Sequence, residues 1–304
     1  MQRRALCALP FGLSFAALNR AVPAFAGEEA GELSHVEPLL ADVAAATELV
    51  LEDPALALIN SYRAAAGVAP ARLHPALQQA AEGHVVYYDL NVGDPLLTGM
   101  GLHRQDPERP GFTGSTMGER ARNAGYTSGS VTENAGFGRI ESAINWAIHT
   151  VNHRLPLIHP SALDMGYSVS GGPEGRGFGI VDVGLRRDRL NEPLPSVYPA
   201  DGATDVPTLW DGAETPDPAP GVPRPMGYPI TVAFGLYQRV EWHTLELFHP
   251  SGELLPVSTP FTDWMRAAAI IPHQPLERGQ TYTGRVEATV DGKRVSREWH
   301  FTTR

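Results

Sequence analysis

The sequence predicts an α/β domain followed by an all-β sandwich, and three observations carry that expectation. Between Pro54 and Thr150 apolar residues recur at helical spacing, interrupted by proline and glycine stops. A strand, a Gly/Pro turn and a second strand follow, over Met165–Ser170, residues 171–175 and Phe178–Leu185. Beyond residues 186–194 the texture changes to short alternating segments separated by turn residues. A chain of 304 residues is also long enough for two domains.

In chain order, residues 1–26 read as an export signal. Arg3 and Arg4 precede an apolar run from Ala5 to Leu18, and Ala24-Phe25-Ala26 is a small-x-small cleavage site before Gly27. The run is too short to span a bilayer, and no later segment is long and apolar enough to do so. Residues 27–53 are Ala/Glu-rich and read as an N-terminal tether. Pro54 opens a helix with Leu56, Ile59, Tyr62 and Arg63 at helical spacing, ended by Gly67. A second helix runs from Pro75 to Leu90, broken by Pro95 and its neighbouring glycines. A third spans Met117 to Ala124 and a fourth Arg139 to Thr150. Glu133-Asn134-Ala135-Gly136 reads as a loop between them.

The boundary falls in the charged, proline-bounded stretch from Arg186 to Leu194. Tyr198 to Gly202 is turn-rich, and residues 211–229 form a Pro/Gly-rich loop. Strand patterns occupy Ile230–Phe234, Thr244–His249, Ala267–Ile271, Tyr282–Val290 and Arg297–Thr303, with Asp291-Gly292 as a hairpin turn. Short strands with frequent turns predict a β-sandwich. There is no internal repeat.

Composition narrows the function. Apolar residues make up 42% of the chain, enough for real cores. The formal charge is −10 and becomes −13 when residues 1–26 are removed, which argues against nucleic acid as a partner and against docking on anionic lipid by charge. The single cysteine, Cys7, lies in the signal, so the mature chain is expected to lack disulfides and thiolate chemistry. No His-Glu-x-x-His, Gly-x-Ser-x-Gly or phosphate-cradling loop occurs, and Gly171 to Gly175 reads as a turn.

What remains is a set of polar residues in the first domain: His103 and Glu133 in loops, Glu141 opening the fourth helix, and His153 just past it. Two imidazoles and two carboxylates can bind a divalent cation. The same four can relay protons, since a carboxylate beside a histidine raises its basicity. Spacing alone does not choose between these.

The motifs extend further. Leu58-Ile59-Asn60-x-x-Arg63-x-x-x-Gly67, Leu77-x-x-Ala80-Ala81-x-x-His84, Ala124-Gly125-Tyr126 with Glu133-Asn134-Ala135, Glu141-x-x-x-x-Trp146, and His153-Arg154-x-x-Leu157-x-x-Pro160 with Met165-Gly166 occur in that order. Over about residues 54–185 the chain resembles the cysteine-rich secretory protein, antigen 5 and pathogenesis-related protein (CAP) superfamily, in its cysteine-poor bacterial branch. The resemblance implies a CAP/SCP-like domain over 54–190 with an α-β-α sandwich. It also implies a cleft lined by His103, Glu133, Glu141 and His153, which in several members holds zinc or another divalent ion. One departure stands: Trp146 to His153 is one residue longer than the family interval. Either a bulge restores His153, with which Arg154 and Pro160 keep register, or His149 completes the set. His149 lies about 80° round the helix from Glu141. Trp146 and Tyr62 read as core, His84 as a packing histidine, Asn134 as a turn or cap residue, His159 as a loop residue and Arg63 as a structural pair.

Residues 196–304 resemble bacterial immunoglobulin-like domains of surface proteins, through Tyr198-Pro199-Ala200-Asp201-Gly202-Ala203-Thr204-Asp205-Val206-Pro207 and Trp299-His300-Phe301-Thr302-Thr303. Such domains are spacers or adhesive modules. Three functions are open at this point. One is a secreted or extracytoplasmic module binding a divalent cation and a ligand such as a lipid or cell-wall component. A second is a hydrolase using the Glu/His set. The third is a surface interaction protein using the sandwich.

Overall fold

The computed structural model describes residues 53–172, 175–186, 194–212 and 214–304. The predicted export signal, all of the tether but Asp53, and most of the predicted domain boundary lie outside them.

Helix α1 spans Pro54–Ala65. Its start is set by Asp53, whose side chain accepts from the Leu56 N–H at 2.9 Å, with Pro54 in the first turn; its end is set by Gly67 at φ +71°. Strand β1 (Arg72–Leu73) leads into α2 (Pro75–Leu90), where the His74 ring takes the capping position toward the Ala76 N–H. Then come a 3₁₀ turn (Gly99–His103), α3 (Met117–Asn123), β2 (Gly129–Phe137), α4 (Ile140–Ile148), α5 (Arg154–Ile158), β3 (Ala162–Val169) and β4 (Phe178–Arg186). The four strands lie in the order β1-β3-β4-β2, with β1 parallel to β3 and the other pairs antiparallel.

Helices cover both faces of this sheet. On one side Leu77, Ala80 and Ala121 pack with Tyr126, and Ala81 and Val85 pack with Phe178 and Ile180. On the other, Ile59, Ile144, Ile148 and Leu157 pack with Met165, Val181 and Val183. The expected α-β-α sandwich is therefore present. Gly166 shows how closely α2 lies on β3, since a Cβ there would sit 2.2 Å from the α2 backbone at Leu77 and Gln78.

Several expectations are corrected. Glu133 to Gly136 is not a loop but the middle of β2, paired residue for residue with β4. Glycine and asparagine made the segment read as turn, yet Gly129 is there because a Cβ would meet the Leu185 carbonyl oxygen at 2.1 Å. Trp146 is not core: it is 41% exposed. His159 lies in the loop after α5, as expected, and is fully buried there. The short helix α5 is also absent from the sequence reading. Arg63 is structural as expected, but it caps carbonyls, donating to Ala69 O at 2.8 Å and Leu157 O at 2.7 Å.

The second part is a β-sandwich. One sheet orders β10-β14-β15-β6 (Val240–Phe248, Thr281–Val290, Lys293–Thr303, Ala203–Val206). The other orders β11-β13-β9-β5 (Val257–Ser258, Ala267–Pro272, Ile230–Ala233, Ser196–Tyr198), with β12 (Phe261–Thr262) beside β13. A small ladder joins β7 (Leu209–Trp210) to β8 (Met226–Gly227). Asp291 and Gly292 both have positive φ, 49° and 81°, as a two-residue hairpin requires. Ile230, Val232, Ile270, Val286 and Phe301 fill the interior around fully buried Trp299.

The sandwich is not strung from the first domain as a separate bead. Ala233, Met265 and Ala267 belong to the same apolar cluster as Ile148 and Leu157. Buried Arg154 donates to Ile148 O and to Pro229 O at 2.8 Å, and its guanidinium lies 4.7 Å from the Tyr198 ring centroid. His159 Nε2 donates to Met265 O at 2.7 Å, and Leu236 N donates to Ser161 Oγ at 3.0 Å.

Burial, with the Arg63 charge nearby, pushes His159 down to about 4. The folded chain therefore takes up this proton at lower pH than the unfolded one. The resulting stability is present above the ordinary histidine value near 6.5 and is lost as pH falls toward 4. Denaturation midpoints followed across that window should drop with falling pH, and His159→Gln should flatten part of the drop. An unaltered pH profile in the variant would count against this account of the junction.

Candidate functional site

Alternation along β2 sends Val131, Glu133 and Ala135 toward α2 and α3, and Asn134 toward α4 and α5. Glu133 is thus carried into a polar pocket within an otherwise apolar layer. Its side chain is wholly buried; Oε1 accepts from His103 Nδ1 at 2.8 Å, and Oε2 makes a short contact with Arg120 Nη2. Arg120 is itself buried and also donates to His103 O at 3.2 Å.

Local sequence aims Arg120. Thr116 caps α3 by accepting from Glu119 N, and the Glu119 carboxylate accepts in turn from Ser115 N at 2.9 Å. The turn before it needs Gly114, since a Cβ there would lie 2.7 Å from Arg120 N. Behind the pair, buried His84 donates from Nε2 to Leu102 O at 2.8 Å and accepts at Nδ1 from Gln105 at 2.9 Å. Gln105 in turn accepts from Thr113 N at 2.7 Å.

These contacts settle the charges. Burial alone would raise the Glu133 carboxyl, but the His103 hydrogen bond and the Arg120 guanidinium outweigh it and hold the group at about 2. Burial lowers His84 to about 4, so its ring is neutral, as its bonds require. Asp182 stands opposite Glu133 on β4, fully buried, with neither carboxyl oxygen hydrogen-bonded. Burial, then the neighbouring Glu133 charge, pushes it well above the usual carboxylate range. The site therefore sets the ionised Glu133 carboxylate beside a second acid whose ionisation its surroundings disfavour.

Of the four predicted residues, the structure brings His103 and Glu133 together and leaves the other two elsewhere. Glu141 lies on α4, across the sheet, 3.6 Å from Arg139 Nε. His153 is also on that side: Asn134 reaches through to its carbonyl at 2.7 Å, and its ring packs against Trp146 at 4.7 Å. Its Nδ1 is 2.9 Å from Glu214 Oε1, a carboxylate contributed by the second domain. His149, the alternative, hydrogen-bonds the Tyr228 hydroxyl at 3.0 Å, also in the second domain. As a donor set for a divalent ion the four do not fit in this arrangement, because both Glu133 oxygens and His153 Nδ1 are already engaged. Among the described residues no group of three or more His, Cys, Asp and Glu is placed to hold an ion.

Arg120, Gln105, Asp182 and Glu214 escaped the sequence reading. Asp182 left a signal, a lone acid inside the apolar run from Phe178 to Leu185. Glu214 left none, sitting in the Pro/Gly-rich loop 211–229.

A small mixed sheet between helix layers, with a buried Glu–Arg–His centre opening through one histidine, defines an α-β-α module joined to a β-sandwich. Residues 56–183 match the family model described as "Cysteine-rich secretory protein family" (CAP), so this stretch of the chain is a CAP domain. No curated protein matches the chain. Among solved structures, an outer surface protein from Borrelia burgdorferi is 14% identical, covering 43% of this chain and 90% of its own, with a TM-score of 0.35. CopC from Methylosinus trichosporium OB3b is also 14% identical, covering 36% of this chain and 91% of its own, with a TM-score of 0.24. At those scores neither likeness bears on fold or function.

Removing one member of the buried Glu133–Arg120 pair leaves an uncompensated charge, so Arg120→Met should lower unfolding free energy by about 3–5 kcal/mol. The double variant Arg120→Met with Glu133→Gln should recover a substantial part of that loss in urea denaturation. A double variant as unstable as the sum of the singles would show that the two side chains do not act as a pair.

Proposed function

We propose that this is an exported CAP-domain protein that holds a ligand outside the cytoplasm, an apolar molecule such as a lipid or a cell-wall component. Residues 1–26 supply the export signal, and the second domain, read as immunoglobulin-like, serves as a fixed wall. The observation that carries this reading is the closure of the polar centre. Glu133 is satisfied by Arg120 and His103, and His153 by Glu214. That leaves His103 as the member of the Glu133 cluster that reaches solvent, its side chain 14% exposed. The segment from α2 to α3 that carries His103 also exposes Leu90, Val92, Leu96, Met100 and Phe112, an unusual run of large apolar side chains at a surface. The CAP domain agrees with an extracellular setting, and among the described residues no helix is long and apolar enough to cross a membrane.

A second reading rests on one feature of the same cluster. With Nδ1–H given to the ionised Glu133, His103 has Nε2 available, and a carboxylate-oriented imidazole is the general-base half of a hydrolytic site. Divalent-cation binding is a further proposal. It requires Glu214 to release His153 and the two sides of the sheet to contribute to one site.

One set of measurements separates these. The mature chain, purified without a His tag, is titrated with a fluorescent fatty acid, assayed for ester and amide hydrolysis, and analysed for bound zinc. Ligand holding predicts saturable fatty-acid binding that weakens about tenfold or more in Leu96→Asp with Met100→Asp. It also predicts no turnover abolished by His103→Ala, and no stoichiometric ion. Absence of saturable binding would overturn the lipid reading. Turnover lost in both His103→Ala and Glu133→Gln would establish the hydrolase instead, and a stoichiometric ion lost in that pair would establish the metal site.

A further inference from the structure

Where the sandwich meets the CAP domain, two hollows of about 500 and 300 Å³ adjoin in one cleft and share His149, Pro207, Tyr228 and Arg304. Ligand sites favour such domain junctions and fall in this size range. Trp146, expected in the core and found 41% exposed, lines the smaller hollow. The larger one carries the chemistry. Its tyrosines come from both domains: Tyr62 from α1, and Tyr198 and Tyr228 from the sandwich. The Tyr62 hydroxyl donates to Asn145 Oδ1 at 2.7 Å, and the Tyr228 hydroxyl is bonded to His149 Nδ1 at 3.0 Å. With those hydroxyls committed to the protein, the rings offer a ligand apolar surface. Tyr62 and Tyr198 stand edge to face, their centroids 6.5 Å apart, as one aromatic corner.

Two charges of opposite sign border the same hollow, Arg304 and Asp205. The Arg304 backbone N–H is fixed to Val206 O at 2.9 Å, and its guanidinium has no hydrogen-bond or ion-pair partner among the described residues. Asp205 stands where β6 carries one residue more than β15, between the pairs Ala203–Phe301 and Val206–Thr303. Such a bulge re-aims a side chain out of the ladder, and Asp205 takes a left-handed φ of +62° there. Its carboxylate likewise has no partner among the described residues, and the two charges do not pair with each other. A guanidinium and a carboxylate set apart on strand backbone, beside an aromatic corner, match a molecule with an anionic and a cationic end. A simple acid engages Arg304 alone and brings its charge toward Asp205. An amine does the reverse, and a zwitterion answers both.

We propose that this junction hollow binds a small zwitterion, the ammonium and carboxylate of a free amino acid or short peptide with an apolar side chain. Arg304 is the carboxylate contact, Asp205 the ammonium contact, and Tyr62 and Tyr198 the apolar wall. The site is separate from the His103–Glu133 cluster and does not depend on what that cluster does.

Isothermal titration of the full chain with phenylalanine, N-acetylphenylalanine and phenylalaninamide tests it, since each derivative lacks one charge. Saturable binding of phenylalanine is expected, about tenfold tighter than of either derivative, the loss of one charge-assisted contact. Arg304→Gln should remove the preference over the amide and keep that over the acetyl derivative, and Asp205→Asn should do the converse. Asparagine tolerates a positive φ, and both residues are exposed, so the variants are expected to keep the fold, checked by circular dichroism. The dipeptide phenylalanyl-phenylalanine, titrated alongside, tells the source: binding tighter than that of phenylalanine marks a peptide site, weaker binding a free amino acid site. His103→Ala should leave these affinities unchanged. No saturable binding of phenylalanine or the dipeptide, equal affinity for the capped derivatives, preferences that survive both variants, or loss of binding in His103→Ala would overturn the proposal.

Discussion

Much of this molecule turns on one carboxylate. Glu214, wholly buried, accepts from the backbone N–H groups of Val151, Asn152 and His153 at 2.9, 2.5 and 3.1 Å, and from His153 Nδ1 at 2.9 Å. These amides lie in the turn that opens α5, where unpaired N–H groups and the helix dipole favour a negative charge. A buried carboxylate without such donors would be strongly destabilising; with four of them it becomes a clamp. It comes from the second domain and closes on the first. The junction around it continues the theme, with Arg154, His159 and Ser161 each bonded across to the sandwich.

The clamp shapes the CAP domain's chemistry. His153 is oriented by Glu214 rather than by Glu133, and Glu133 is oriented by Arg120 and His103. The sheet lies between the two assemblies. What a family-based reading treats as one cleft is here two polar centres on opposite faces, each satisfied by its own partners. The sandwich accordingly supplies the carboxylate that holds His153, and its docking brings aromatic side chains of both domains together.

Much of the fold could be read from the chain. Pro54, Pro75 and Gly67 marked helix ends because their backbone constraints act locally, and Asp291-Gly292 marked a hairpin for the same reason. Strand β2 was missed because Gly129 and Asn134 mimic turn chemistry, while the pairing that makes them a strand comes from β4, far along the chain. His103 and Glu133 were legible through the family motif. Their partner Arg120 was not, since its burial depends on Gly114 and on the packing of α3. Trp146 was misread because its helical position points to an interior only if the tertiary context supplies one; here that side of α4 faces the junction cleft. Glu214 lay in a segment whose composition promised only a loop, and nothing local distinguishes a solvated loop acid from one buried against another domain.

The most direct test of this account is amide hydrogen exchange at Val151, Asn152 and His153 in the full chain. If Glu214 clamps the turn, these three amides exchange slowly in the wild-type protein and speed up together in Glu214→Ala, while amides of the sheet core keep their protection. Rapid exchange at all three in the wild type, or rates unchanged in the variant, would contradict it.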